Sequence, residues 1–162
     1  MVDVINNSHR PAPRAWPVSC RNMAHQAMKV LKIGKYDIAV TLVEPAAIKK
    51  LNKRYRKHNQ VTDVLSFTYD LNKKYLNGEI IICLSQAKTQ SLRRQHSLLT
   101  ELQILTAHGL IHLGGYDHMI AGERRQMRVL EKKVLGKTVA EHLDWTIKLF
   151  SPITLRTWGV SL

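Results

Sequence analysis

Two cysteines, Cys20 and Cys83, are too few for a disulfide framework and too isolated for a thiolate metal site. Their scarcity points to a reducing, cytoplasm-like compartment. Cys83, inside the apolar run Ile80-Ile81-Ile82-Cys83-Leu84, is expected to be a buried, unreactive thiol. No apolar run approaches the roughly 20 residues of a membrane span, so no membrane partner is expected. Met1 to Val18 has no apolar h-region, and no secretory signal is expected there. Arg10 and Arg14, with a single acid in that stretch, leave an organellar leader open. Asn6-Asn7-Ser8 and Pro11-Ala12-Pro13 read more readily as a short strand and its turn. Repeats, low-complexity tracts and long linkers are absent too, and residues 1–162 read as one domain with room for a real core.

Acidic residues are the other shortage. Twelve Asp and Glu face 25 Lys and Arg, a net charge of +13. The excess is uneven: no acid lies between Glu44 and Asp63, while Lys49, Lys50, Lys53, Arg54, Arg56 and Lys57 do. A mild excess would read as a solvated basic face. An excess this large and local favours a polyanion, bound through phosphate contacts and counterion release.

Periodicity sketches the elements. Val18 to Ile33 reads as an amphipathic helix with Ser19 available as its cap and Gly34 closing it. Asp37 to Val43 alternates, with Ile38, Val40 and Leu42 on one face of a strand. Glu44-Pro45 opens a helix whose apolar stripe is Ile48, Leu51 and Tyr55 and whose other flank is basic. Thr62 to Tyr69 is a strand with Leu65, Phe67 and Tyr69 on one face, and Val64 and Ser66 on the other. A polar loop over Asp70–Asn77 leads to a buried strand over Gly78–Leu84. Helices follow from Ser85 to about Arg94, from about Ser97 to Leu113, and from Ala121 to Leu135 with Met127, Leu130 and Val134 facing inward. The last 25 residues read as helical up to Phe150. The order is that of an α+β fold, a small mixed sheet packed with helices.

The chemistry concentrates in Thr106-Ala107-His108-Gly109-Leu110-Ile111-His112-Leu113-Gly114-Gly115-Tyr116-Asp117-His118. His108 and His112 lie four apart, so a helix projects both imidazoles from one face. Gly114-Gly115 permits a sharp turn that can return His118 as a third nitrogen. Three neutral imidazoles with an open fourth position describe a catalytic zinc site at a helix-turn end, whereas structural sites are closed by four ligands. Given this composition, chance supplies the triple spacing roughly 0.02 times per chain. The spacing matches the metzincin protease pattern, except that Gly109 stands where those enzymes carry the glutamate that activates water. The geometry is kept and the protease base is gone.

These residues resemble the YbeY endoribonucleases, a family involved in rRNA maturation. The signature His-Gly-x-x-His-x-x-Gly-Tyr-Asp-His is complete from His108 to His118. A second block, Leu-Asn-x-x-Tyr-Arg through Thr-Asp-Val-Leu-Ser-Phe, is matched by Leu51 to Phe67, and Gly78-Glu79-Ile80 matches a third. In the second block Asn59 stands for the family's aspartate and Val61 for its proline. The resemblance runs from about Asp37 to Leu135 and leaves the last 25 residues without a signature. It implies an α+β fold with the metal at the mouth of a basic cleft. It also implies cleavage of single-stranded RNA, processing of the small-subunit rRNA 3′ end, ribosome quality control, and the small ribosomal subunit as partner.

The expected cofactor is one zinc ion per chain on His108, His112 and His118, with no small-molecule cofactor. Arg56, matching the family's arginine, is expected to stabilise charge on the phosphate. Lys49, Lys53 and Arg54 are expected to hold the RNA backbone. Asp117 is a candidate to orient a histidine, or to cap the turn. Ser66 could reach the cleft or be structural. A metalloprotease-like hydrolase and a non-catalytic ribosome-associated zinc protein are the competing readings.

Overall fold

Parallel strands need a crossover, and the chain supplies two. A computed structural model describes residues 1–72, 74–116 and 121–140. Along them run β1 (Val2–Asn6), α1 (Trp16–Leu31), β2 (Lys35–Val43), α2 (Pro45–Arg56), β3 (Val64–Leu71), β4 (Tyr75–Cys83), α3 (Leu84–Arg93), α4 (Leu98–Leu113) and α5 (Ala121–Ala140). The four strands form one mixed sheet in the order β1-β2-β4-β3. β1 and β4 both run parallel to β2, and β3 is an antiparallel edge strand on β4. The α+β architecture expected from the sequence is the one observed, as is the strand at the N-terminus.

Strand alternation divides the core into two. Ile38, Val40, Leu42, Val64, Leu76, Ile80 and Ile82 pack with residues of α1 and α4 in the main core. Leu65, Phe67, Ile81 and Cys83 face the other way, onto Ile48 of α2. α4 is apolar around its whole circumference, and Leu102, Leu105, Leu110, Ile111 and Leu113 are among its buried residues. A helix of that kind must be covered on all sides. Both cysteines are fully buried, and burial pushes the Cys20 thiol up to about 12.

Several local expectations are corrected. α1 begins at Trp16 with Ala15 in the cap position and no side-chain cap bond. Ser19 is instead committed to α4, its Oγ accepting from Gln103 Nε2 at 2.6 Å. The helix closes on Lys32 in the left-handed region (φ 59°), two residues before Gly34. Part of the expected 70–77 loop is sheet: β3 runs on to Leu71 and β4 starts at Tyr75. Asn72 makes the tight connection, its Oδ1 accepting from the backbone N–H groups of Lys74 and Tyr75. α3 starts at Leu84, with Cys83 rather than Ser85 at its cap. On α2, Asn52 is buried where Tyr55 is 38% exposed. Tyr55 still meets Phe67 edge-on at 5.1 Å. Gly136 (φ 72°, ψ 171°) breaks the helical path within α5, next to the expected end at Leu135. The helix expected up to Phe150 extends outside the described residues.

Candidate metal centre

α4 is held against the sheet by two glycines. A Cβ on Gly78 would lie 2.8 Å from Leu113 Cδ2, and one on Gly109 would lie 2.8–3.1 Å from three atoms of Ile80. The edge strand lies beside the same helix, where Ser66 and Thr68 donate long hydrogen bonds to the carbonyls of Gly109 (3.5 Å) and Leu113 (3.4 Å). Gly109 therefore faces β4, and a glutamate there would be driven into Ile80. The residue that departs from the protease pattern is set by packing. Ser66 is buried, its Oγ directed at the α4 backbone next to His108.

His108 and His112 project from α4 one helical turn apart. Their ring centroids lie 4.6 Å apart at 75°, and the residues are 4% and 1% exposed. His108 Nδ1 is 2.6 Å from Glu131 Oε1, itself buried on α5. A carboxylate on one ring nitrogen fixes the tautomer and leaves the other nitrogen's lone pair for a cation. Two imidazoles on adjacent turns, one already oriented, are donors of the type that suits a divalent metal ion. After α4, Gly115 (φ 89°) makes the turn that only glycine enters freely. Gly114 does not use that freedom (φ −72°); it is packed against Leu31. His118 and Asp117 lie outside the described residues.

The basic helix α2 packs on the opposite face of the sheet. Lys49, Lys53 and Arg54 are exposed along it, with the Arg54 guanidinium 5.3 Å from the Tyr55 ring centroid. Arg56, its last residue, is half-buried. Desolvation lowers its pKa, and the nearby Asp63 charge opposes that. Asp63 is 2% exposed and ties three segments together. Its Oδ1 accepts from Val64 N (2.8 Å) and its Oδ2 from Gln90 Nε2 (3.0 Å), while its carbonyl accepts from Cys83 N. Asp63 thus joins the start of β3 to the end of β4 and to α3.

A scan against family models finds the one described as Endoribonuclease YbeY over residues 5–139. The chain belongs to the YbeY endoribonuclease family. That match starts well before Asp37, where the sequence resemblance begins. Curated relatives named Endoribonuclease YbeY include one from Vesicomyosocius okutanii, 34% identical over 85% of this chain and 95% of its own length. Another, from Syntrophomonas wolfei, is 36% identical over 74% of this chain and 85% of its own. Among solved structures, a Thermotoga maritima protein determined in solution shares the fold, with a TM-score of 0.52 at 23% identity over 83% of this chain and 89% of that one. YbeY proteins are metal-dependent hydrolases of RNA involved in rRNA maturation. No helix among the described residues is long and apolar enough to cross a membrane.

Three features of this YbeY-family chain were not singled out from its sequence. Glu131 lies on the inward stripe with Met127 and Val134, and an acid on an apolar stripe was the signal that could have found it. Asp63 is inside a recognised block but has no spacing that announces burial. At the other end of α4, Glu101 is fully buried between Arg94 (2.7 Å) and His96 (3.0 Å).

Proposed function

We propose that this chain is a zinc-dependent endoribonuclease that cuts single-stranded RNA, acting at the 3′ end of small-subunit rRNA and in ribosome quality control. The observation that carries the reading is the buried His108–His112 pair with a carboxylate on His108 Nδ1. One zinc ion per chain would be held by His108, His112 and His118. When bound, it supplies a water molecule of lowered pKa as nucleophile. Arg56 balances the charge that develops on the phosphate. Its guanidinium, already partly desolvated, spends less on leaving water than the exposed cations of α2. Lys49, Lys53 and Arg54 hold the backbone without reading sequence. Asp117 orients a histidine or caps its turn. The small ribosomal subunit is the partner and the cytoplasm the compartment.

Family membership and the net charge of +13 support RNA as substrate. A protease-like hydrolase is disfavoured because position 109 carries no glutamate, and a Cβ there would already meet Ile80 at 2.8–3.1 Å. The deciding experiment compares wild type and His112→Ala on a labelled single-stranded RNA from the small-subunit 3′ region, with zinc quantified in both after identical purification. Cleavage and zinc are expected to disappear together. Equal cleavage by both would mean a contaminating nuclease, and the non-catalytic zinc protein would become the better reading.

A further inference from the structure

We infer that Glu131 is a positioning residue for the metal centre, holding His108 in the tautomer and orientation that present Nε2 to the ion. The inference rests on the metal reading above and extends it to a residue on a different helix.

Packing alone does not account for a carboxylate at this position. Met127, Leu130, Val134 and Leu135 pack onto the core from α5, and Glu131 is 4% exposed among them. An apolar residue there would fill the space without desolvating a charge, which is unfavourable unless the charge is paired. The pairing is short and buried at both ends: Glu131 Oε1 lies 2.6 Å from His108 Nδ1. An ionised carboxylate can only accept, so the imidazole donates from Nδ1. In a neutral ring that assigns the remaining lone pair to Nε2. A carboxylate bonded to a ligand's far nitrogen also raises that ligand's basicity toward a cation.

Sequence position matters as well. Glu131 and His108 are 23 residues apart, on α5 and α4, the two helices between which Asp117 and His118 fall in the sequence. The bond therefore ties together the two helices that bracket His118 in the sequence. A purely structural tie predicts loss of stability on mutation with zinc affinity unchanged. A positioning role predicts loss of affinity even where stability holds.

The test measures zinc affinity by chelator competition for wild type, Glu131→Gln and Glu131→Ala, alongside thermal unfolding of each metal-free protein. Zinc affinity is expected to fall roughly 10- to 100-fold in both variants. Glu131→Gln keeps the shape and an acceptor oxygen, so its metal-free melting temperature should stay close to wild type. A second measurement needs no variant: ¹⁵N NMR of the metal-free wild type should show His108 protonated on Nδ1 with Nε2 bare. Unchanged zinc affinity in both variants, or an Nε2-protonated His108, overturns the inference and leaves the metal reading standing. A wild type that binds no zinc overturns the metal reading and the inference with it.

Discussion

α4 and α2 are helices of one chain built to opposite rules. Twelve of the sixteen residues of α4 are buried, but only Ile48 and Asn52 of the twelve in α2. α4 carries the paired imidazoles, while α2 carries exposed cations on its outer flank. Chemistry that needs fixed distances sits where packing leaves side chains no freedom. Attraction of a long polyanion needs only charge of the right sign near the surface, and long side chains that stay solvated supply it. The difference teaches which mutations should act as switches and which should act by degrees.

Arg56 is the residue that breaks this division, and it carries the largest expected effect. It belongs to α2 yet is half-buried beside Asp63. Arg56→Ala should lower cleavage by roughly 10²- to 10³-fold, the scale of removing one preorganised charge-stabilising donor. Zinc content should not change. Single-turnover cleavage with metal analysis checks both, and unchanged turnover would remove Arg56 from the mechanism and return it to the graded class.

Gly109→Ala tests how tightly α4 is seated. The new methyl would meet Ile80 at 2.8–3.1 Å, closer than carbon atoms pack. Overpacking of this kind costs about 1–3 kcal/mol. Denaturant unfolding should show that loss with the zinc-bound fraction of folded protein unchanged. A neutral result would mean that Ile80 yields easily and that position 109 is less constrained than the other buried positions of α4.

α2 should respond by degrees. Replacing Lys49, Lys53 and Arg54 together by glutamine should weaken single-stranded RNA binding without changing kcat. The dependence of log K on log salt should become shallower by about 2, from roughly 0.7 per lost phosphate contact. Titration of the same RNA at several salt concentrations checks it. An unchanged salt slope would move the RNA track off α2. The outer flank of α5, with Arg124, Arg125, Lys132 and Lys133 exposed, would then be the next surface to test.

The division between the helices also explains what the sequence made legible. The His108–His112 face follows from local helix geometry, and the two faces of β2 and β3 follow from alternation. Residues such as Val40 and Leu65 were assigned to their faces correctly for that reason. Contacts between segments distant in sequence had no such rule. Ser19 looked like a cap because its bond to Gln103, 84 residues away, leaves no trace in the local pattern. Asp63 meets Gln90 and Glu131 meets His108 only once the helices have docked. The polar 70–77 segment looked like a loop because Asp70, Leu71 and Asn72 are exposed at the end of the edge strand, and the single buried Leu76 is too little apolar alternation to mark the start of β4.

The last expected effect concerns the far end of α4. Glu101 is enclosed by Arg94 and His96, with Asp63 adding a second negative charge nearby. Burial raises its carboxyl from 4.5 to about 7, against the lowering pull of Arg94. The folded protein then binds a proton that the unfolded chain has released across that window. Stability contributed by this group is therefore present at low pH and lost as pH rises from about 4.5 to 7, by on the order of 1 kcal/mol per pH unit. Glu101→Gln cannot release a proton and should flatten this part of the profile. Urea unfolding at pH 5, 6 and 7 measures the two slopes, and equal slopes would assign the dependence to other groups. If the wild-type slope is the steeper, both ends of α4 hold carboxylate–imidazole pairs to different ends. Glu131 would secure the proposed ligand His108, whereas Glu101 costs stability near neutrality to join the start of α4 to the segment that follows α3.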